Sequence, residues 1–282
     1  MNDVMVSVII PAYNPKYIFE AVASAFLQDV SKEIIIIDDC STTEWTESFV
    51  NHLEDCYDIS DHYYHKKNAD GSMLLKWVGN VTLNSLENSK FSIYIFKNTE
   101  NKNVGTTRNR GVRLAKGNYV AFLDADDMWL NGKLEKQLEL MEHDVRVPLC
   151  STARRMMDSD GTLLDKVITV PARITLKDLE RTNCINLSSV LVRKDVMQKY
   201  PMRHSDAHED YLSWLMLFKE YEYALGLNEP LLLYRKTKEG KSGNKLKSAI
   251  MTYRTYRYAG FGVIKAGRCF LSYAVNGVKK RL

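Results

Sequence analysis

The sequence predicts an α/β protein with an open, doubly wound, mostly parallel sheet flanked by helices. Three observations carry that expectation. Short β-branched apolar runs recur through the first 130 residues, helix-like segments alternate with them, and each run ends in polar residues. Strands buried on both faces read as nearly continuous apolar runs. Strands alternating with helices build a parallel sheet.

The elements follow in order. Residues 6–12 (VSVIIPA) and 33–38 (EIIIID, four isoleucines in a row) are the first two strands. Between them IFEAVASAFL places Ile18, Val22, Ala25 and Phe26 on one helical face. FSIYIF (91–96) and NYVAFLD (118–124) are further strands, separated by a helix, TTRNRGVRLAKG, that closes at Gly117. Residues 44–90 are less legible and read as an insertion, a lid or acceptor-side element, in which Leu74, Leu75, Val78 and Val81 suggest one helix. From 131 onward come an amphipathic helix (KLEKQLELMEH), an Asp160-Gly161 hairpin turn, a strand at 188–193 (SSVLVR) and a helix within 206–221 with Tyr211, Trp214, Leu215 and Phe218 on one face. The expected organisation is one α/β domain over 1–234, in two halves (1–130 and 131–234), followed by a tail at 235–282.

Composition narrows the class. With 45% apolar and 26% charged residues among 282, the chain is neither disordered nor collagen-like. No apolar run approaches the roughly 18 residues of a transmembrane helix, and the first residues carry no basic n-region, so neither a membrane span nor a secretory signal is expected. Five scattered cysteines without a CxxC pair suggest a reduced, cytoplasmic chain without structural zinc. His52, His62 and His65 match no zinc spacing and read as surface. DSDG resembles the start of a calcium loop, but Thr169 stands where the loop needs its glutamate.

The net charge of +4 conceals an asymmetry. Residues 235–282 hold 13 Lys/Arg and a single acid, Glu239. A basic segment with interleaved aromatics on an acidic body suits an anionic membrane surface. Nucleic acid matches the charge, but the body shows no motif for it. A solvated tail is the plain alternative.

In open α/β sheets ligands bind beyond the carboxyl ends of the strands. Those ends carry Tyr13-Asn14, Asp38-Asp39, Asn98 and Asp124-Ala125-Asp126-Asp127. Two carboxylates at i and i+2 repel each other unless a cation lies between them, and Mg²⁺ or Mn²⁺ held with substrate phosphates fits. The alternative is that Asp126 or Asp127 caps the next helix. Glu209-Asp210 sits in a first helical turn, where acids are favoured by the dipole alone. Arg108 and Arg110 follow Gly105 in NVGTTRNRG, which is neither a Walker A loop nor a GxGxxG fingerprint.

Taken together, VSVIIPAYN, EIIIIDDCST, NVGTTRNRGVRLAKGNYVAFLDADDMW and HEDYLSWL, in this order, resemble the family 2 glycosyltransferases of GT-A fold, with Ser24 and Gln28 matching a signature in their first helix. The resemblance implies inverting transfer of a hexosyl or N-acetylhexosaminyl group from a nucleotide-sugar, UDP-linked above all, to a saccharide or lipid-linked saccharide in bacterial surface polysaccharide synthesis. It implies a nucleotide-sugar site of Pro11, Ala12, Tyr13, Asp38, Asp39, Arg108, Asp124, Ala125 and Asp126. It makes Asp126, with Asp124, the ligands of Mn²⁺ or Mg²⁺, Asp210 the catalytic base and Glu209 its support. Where the family often has a His after its "YR" segment, this chain has Lys236 and Thr237, so a third metal ligand is not assigned. The competing expectations are a polyprenyl-phosphate sugar synthase and a non-catalytic nucleotide-sugar-binding protein. A cytoplasmic location, peripheral on the inner face of the membrane, goes with the first reading.

Overall fold

The computed structural model describes residues 4–56, 63–67, 73–83, 86–236 and 245–279, with side chains left out for 54–91, 245, 278 and 279. The four-isoleucine run shows how sequence becomes fold here. In strand β2 (Lys32–Asp38), Ile34 and Ile36 point to one face and Ile35 and Ile37 to the other, and all four are buried in separate apolar cores. Each such side chain contributes about 1.5–3 kcal/mol on burial.

β2 lies beside β1 (Val6–Ala12) and β5 (Leu86–Lys97), and β1 also pairs with β6 (Tyr119–Phe122), all in parallel. Helix α1 (Ile18–Phe26) connects β1 to β2, and α2 (Trp45–Cys56) follows β2. The apolar face read from 18–26 is the buried one.

Outside this parallel centre the sheet is mixed. The full order is β10-β12-β8-β11-β6-β1-β2-β5-β4-β3, where β3 is Tyr63–Lys67, β4 Met73–Leu83, β8 Leu149–Met157, β10 Arg173–Ile174, β11 Val190–Arg193 and β12 Ala224–Arg235. β11 runs antiparallel to both β6 and β8, so β8 and its parallel neighbour β12 point the same way as the centre. The carboxyl ends of β1, β2, β5, β6, β8 and β12 therefore share one edge.

The helix expected around Leu74–Val81 is not formed. The backbone of β4 pairs antiparallel with β5, placing Leu74 opposite Phe96 and Trp77 opposite Ile93. An apolar spacing of three and four also suits a strand once a partner edge supplies its hydrogen bonds, and β5 supplies that edge. The hairpin at Asp160-Gly161 joins β8 to β9 (Leu163–Ile168). Asp158 Oδ1 accepts from the amides of residues 160 and 162, and Gly161 has φ +86°.

α3 (Val104–Leu114) packs on the sheet through Gly111, where a Cβ would stand 2.5 Å from Ile9 Cγ2. α4 (Lys133–His143) follows the short strand β7 (Met128–Trp129). α5 (Leu176–Arg181), α6 (Lys194–Lys199) and α7 (Glu209–Leu217) complete the second half, together with a 3-10 turn at Leu187–Ser189.

The basic segment beyond residue 235 is not a free extension. Arg235 ends β12, and α8 (Lys245–Tyr258) and α9 (Val263–Lys279) pack against each other and against α7 and α5. Tyr256, Ala259, Phe261, Ala266 and Cys269 enter the core. Among the described residues no helix is long and apolar enough to cross a membrane. The four described cysteines, Cys40, Cys150, Cys184 and Cys269, are free thiols. His52 is exposed, with its ring against Phe19, whereas the side chains of His62 and His65 lie outside the described residues.

Candidate active site

The shared edge gathers the acidic groups. At the end of β2 the two aspartates do different work. Asp38 is 1% exposed, and its Oδ1 accepts from the amide (2.9 Å) and hydroxyl (2.5 Å) of Ser41, fixing a tight turn. Asp39 receives two hydrogen bonds on the same oxygen, Oδ1: one from Asn98 Nδ2 (2.7 Å) and one from the Lys102 amide (2.9 Å). Asn14, at φ +45°, accepts from the amides of Thr42 (2.9 Å) and Thr43 (3.1 Å) and ties the β1 loop to the β2 loop. Pro11 and Ala12 end β1 beneath this web, and Tyr13 stands out from it, 52% exposed.

The second group follows β6. The amide of Asp127 donates to the Asp124 carbonyl (3.0 Å), closing Asp124-Ala125-Asp126-Asp127 into a turn. Ser188 Oγ accepts from the Asp124 amide. Asp127 is buried, and its Oδ1 accepts from the Arg235 amide (3.0 Å). Arg235 Nε donates to the Asp126 carbonyl (2.9 Å) while its guanidinium lies 4.0 Å from the centre of the Tyr17 ring.

The helix-cap alternative fails. The amides of Lys133 and Leu134 at the start of α4 donate to Gln28 Oε1, at 3.0 and 3.2 Å. Ser24 Oγ accepts from the Trp129 amide. Ser24 and Gln28 thus fasten the chain after the acids onto α1, which leaves Asp124 and Asp126 free of capping duty.

Electrostatics mark this turn as strained. The Asp126 carboxyl is pushed up to about 6, first by burial and then by the charge of Asp124. Asp127 is pushed well above the usual carboxylate range by burial and by both neighbours. A cation between Asp124 and Asp126 would relieve that repulsion, so the donor set present fits a divalent metal. Asp127, clamped to Arg235, is built as a support. Among the described residues no group of three or more His, Cys, Asp or Glu forms a closed cage.

Arg108 links the acids to the opposite wall. It is buried on α3 and ion-paired with Asp124. Burial opposes its charge, but Asp124, Asp210 and Glu209 outweigh burial and hold the guanidinium above its ordinary value. Asp124, Asp210 and Glu209 thus all act on this one cation. Glu209 lies against the start of α3, where a Cβ on Gly105 would come within 3.2 Å of Glu209 Cγ. α7 is anchored by fully buried Tyr211 and Trp214, with Tyr211 Oη 2.8 Å from Tyr256 Oη.

Sequence reasoning missed Arg235, Ser188 and the clamping role of Asp127. The "YR" pair ending a strand was the available signal for Arg235. A cavity of about 580 Å³ lies beside Met5, Tyr119 and Arg193 at the amino-terminal edge, and Asp124 and Asp126 do not line it.

A parallel α/β centre with a carboxylate pair at its carboxyl edge, where open α/β sheets bind their ligands, and a helix-borne acid acting on the same arginine is an enzyme-like arrangement. The family model for Glycosyl transferase family 2 matches residues 7–72 and 82–199. The chain belongs to that family and is a glycosyltransferase. It is 34% identical over 281 residues to TuaG of Bacillus subtilis, a glycosyltransferase ascribed to teichuronic acid biosynthesis, covering 99% of this chain and 98% of TuaG. It is 28% identical over 278 residues to the UDP-Glc:alpha-D-GlcNAc-diphosphoundecaprenol beta-1,3-glucosyltransferase WfaP of Escherichia coli, covering 98% and 95%. Two solved structures share the fold. TarS of S. aureus (residues 1–349) with UDP-GlcNAc superposes with TM-score 0.61 at 16% identity, covering 94% of this chain and 70% of that one. The mannosyltransferase PcManGT of Pyrobaculum calidifontis with GDP-Man and Mn2+ superposes with TM-score 0.61 at 15% identity, covering 95% and 68%. The fold is therefore GT-A.

Proposed function

We propose that this chain moves a sugar, with inversion, from a UDP-sugar to a hydroxyl of a saccharide or lipid-linked saccharide during bacterial surface polysaccharide synthesis. The observation that carries the reading is the placement of Arg108 between Asp124 and the Glu209-Asp210 pair. It sets the acids of both halves in the field of one guanidinium. The names of TuaG and WfaP support the substrate class.

In this reading Asp39 receives the base. Both of its protein hydrogen bonds fall on Oδ1, which leaves Oδ2 to accept from a uracil N–H. Asp38 holds the turn that presents Asp39, while Tyr13, over Pro11 and Ala12, borders the ring. Arg108 and Asp124 meet the uridine, and Ala125 lets the chain turn between the two carboxylates. Asp126 and Asp124 would hold Mn²⁺ or Mg²⁺, which would supply positive charge to the leaving diphosphate. Asp210 accepts the proton of the incoming hydroxyl within the transition state, because that alcohol is too weak an acid to ionise first. Glu209, wedged against Gly105, fixes the direction of Asp210. Alignment of the hydroxyl with the anomeric carbon supplies much of the remaining rate.

Asp210→Asn is expected to keep UDP affinity and lose sugar transfer by about 10²-fold or more. A screen of UDP-sugars with Mn²⁺ or Mg²⁺ finds the donor first. Turnover of Asp210→Asn near that of the parent protein would remove Asp210 from this role.

The same reading puts the enzyme on the inner face of the membrane. Residues 245–282 contain no acid. α9 presents Ile264 (82% exposed), Leu271 (65%) and Val275 to solvent at helical spacing, beside Lys265 and Arg268. Apolar residues with flanking cations are what an anionic bilayer surface binds.

A further inference from the structure

We infer that a small polar pocket between the start of α3 and the turn before α7 is a subsite for an uncharged sugar ring of the acceptor, held through its hydroxyls. The inference rests on the proposed glycosyl-transfer reading and names the acceptor chemistry beside its base.

The pocket has a volume of about 290 Å³, at the lower end of the roughly 300–1,000 Å³ of small-ligand sites. Asn103 and Thr106 line it from α3, Arg203, His204 and Asp206 from the turn, and Glu209 from the first turn of α7. Glu209 directly precedes Asp210, the proposed base, whereas Tyr13, Asp39, Asp124 and Asp126 do not line the pocket. It therefore adjoins the site on the side of the base, not of the donor.

The fold fixes the turn from two sides. On α3, Asn109 Nδ2 donates to the Met202 carbonyl (2.6 Å) and Asn109 Oδ1 accepts from the Met202 amide (2.9 Å). On the other side, α8 grips every second residue on the way into α7. The His204 ring stacks on Tyr258 with centres 3.9 Å apart. Asp206 Oδ2 accepts from Tyr258 Oη (2.9 Å) and from Arg254 (3.2 Å), and the His208 amide donates to Thr255 Oγ1 (3.1 Å). Residues 203–206 are nonetheless exposed. Their polar side chains form a rim that is set before any ligand arrives, which lowers the cost of binding one.

The lining selects the ligand. Among the described residues, Met202 is the one apolar side chain in it, so a hydrocarbon group finds no surface there. The formal charges balance, Arg203 and Arg254 against Asp206 and Glu209, so an ion of either sign gains no net attraction. The helix-start amide that an oxyanion would use, that of Thr106, already donates to Asn103 Oδ1 (3.1 Å). What the walls offer is a close set of hydrogen-bonding groups of both kinds: amide, hydroxyl, imidazole, guanidinium and carboxylate. A sugar ring matches that set, because each hydroxyl donates and accepts at once, and neighbouring hydroxyls engage a carboxylate or a guanidinium in pairs. A ring lodged against Glu209 brings its own hydroxyls to the door of Asp210, where the reaction needs one.

The test titrates the methyl glycosides of glucose, galactose, mannose and N-acetylglucosamine into the full-length protein loaded with UDP and Mg²⁺, followed by saturation-transfer NMR. Methyl glucuronide is the charged comparator. At least one neutral glycoside is expected to bind, and the glucuronide at least about tenfold more weakly. Arg203→Ala and Thr106→Val, on opposite walls, are each expected to weaken that glycoside roughly three- to tenfold with UDP affinity unchanged. Both residues are exposed, so neither change threatens the fold. Mn²⁺ in place of Mg²⁺ is expected to broaden the resonances of the bound glycoside, because the ring lies beside the reaction centre. The inference is overturned if no neutral glycoside binds, if the glucuronide binds as tightly, if either variant binds the glycoside as the parent does or loses UDP in equal measure, or if Mn²⁺ leaves the resonances sharp. Failure of the parent protein to bind UDP and its metal would instead overturn the donor reading beneath it.

Discussion

Replacing Asp126 by asparagine should stabilise the metal-free protein above about pH 6 while removing its response to metal. The Asp126 carboxyl is pushed up to about 6 by burial and by the charge of Asp124, whereas an unfolded aspartate ionises near ~3.9. Between those values the native state binds more protons than the unfolded chain. Stability therefore falls as pH rises through the window, and the full penalty stands above it. A shift of about two units corresponds to at most about 3 kcal/mol. Asp126 keeps some contact with water, which screens the charge, so about 1–3 kcal/mol is the working range. For a chain of this size about 1 kcal/mol moves Tm by roughly 2 °C, which gives a gain of about 2–6 °C for Asp126→Asn. Thermal unfolding in EDTA at about pH 8 and about pH 4.5 measures it, with the gap reduced to roughly a third at the lower pH. Added Mn²⁺ should then raise Tm for the parent protein and not for the variant. A gap of equal size at both pH values, or a lower Tm for the asparagine variant at pH 8, would refute the idea that burial and mutual repulsion strain this pair.

Other outcomes follow from single contacts. Gln28→Ala removes the acceptor for the Lys133 and Leu134 amides and the donor to the Leu130 carbonyl. It should cost about 1–3 kcal/mol, read as a lower denaturation midpoint. Lys133 is buried with its ammonium pushed down to about 7, and its Nζ donates to Gln137 Oε1 at 2.7 Å. Between about 7 and ~10.4 the unfolded chain binds more protons, so this residue favours the native state increasingly as pH rises. The Tm of Lys133→Met relative to the parent protein should therefore be highest near pH 6 and decline toward pH 9. Ile264→Asp combined with Leu271→Asp, both exposed on α9, should reduce sedimentation with phosphatidylglycerol vesicles and leave UDP binding unchanged. Equal sedimentation would remove α9 as the membrane-facing element.

Much of this site was legible because its parts are local. A buried strand followed by short acids is written in nearby residues, and Asp39, Asp124 and Asp126 each stand within four residues of the end of a run that forms a strand in the fold. Other features escaped for an equally physical reason. The apolar spacing in residues 74–81 is compatible with a helix or a strand, and the free edge of β5 decides between them. Arg235 is an ordinary arginine in sequence, and its role arises from the pairing that lays the end of β12 beside Asp126 and Asp127.

The sequence by itself determined the parallel centre, the family and the chemical character of the edge, because strand burial and short acidic turns depend on neighbours in the chain. The tertiary structure alone decided that Arg108 stands between Asp124 and the Glu209-Asp210 helix. It also bound α8 and α9 into the core. These are meetings of residues from 16 to 109 positions apart, and hydrogen bonds and charges at that separation exist only after the sheet has ordered its strands.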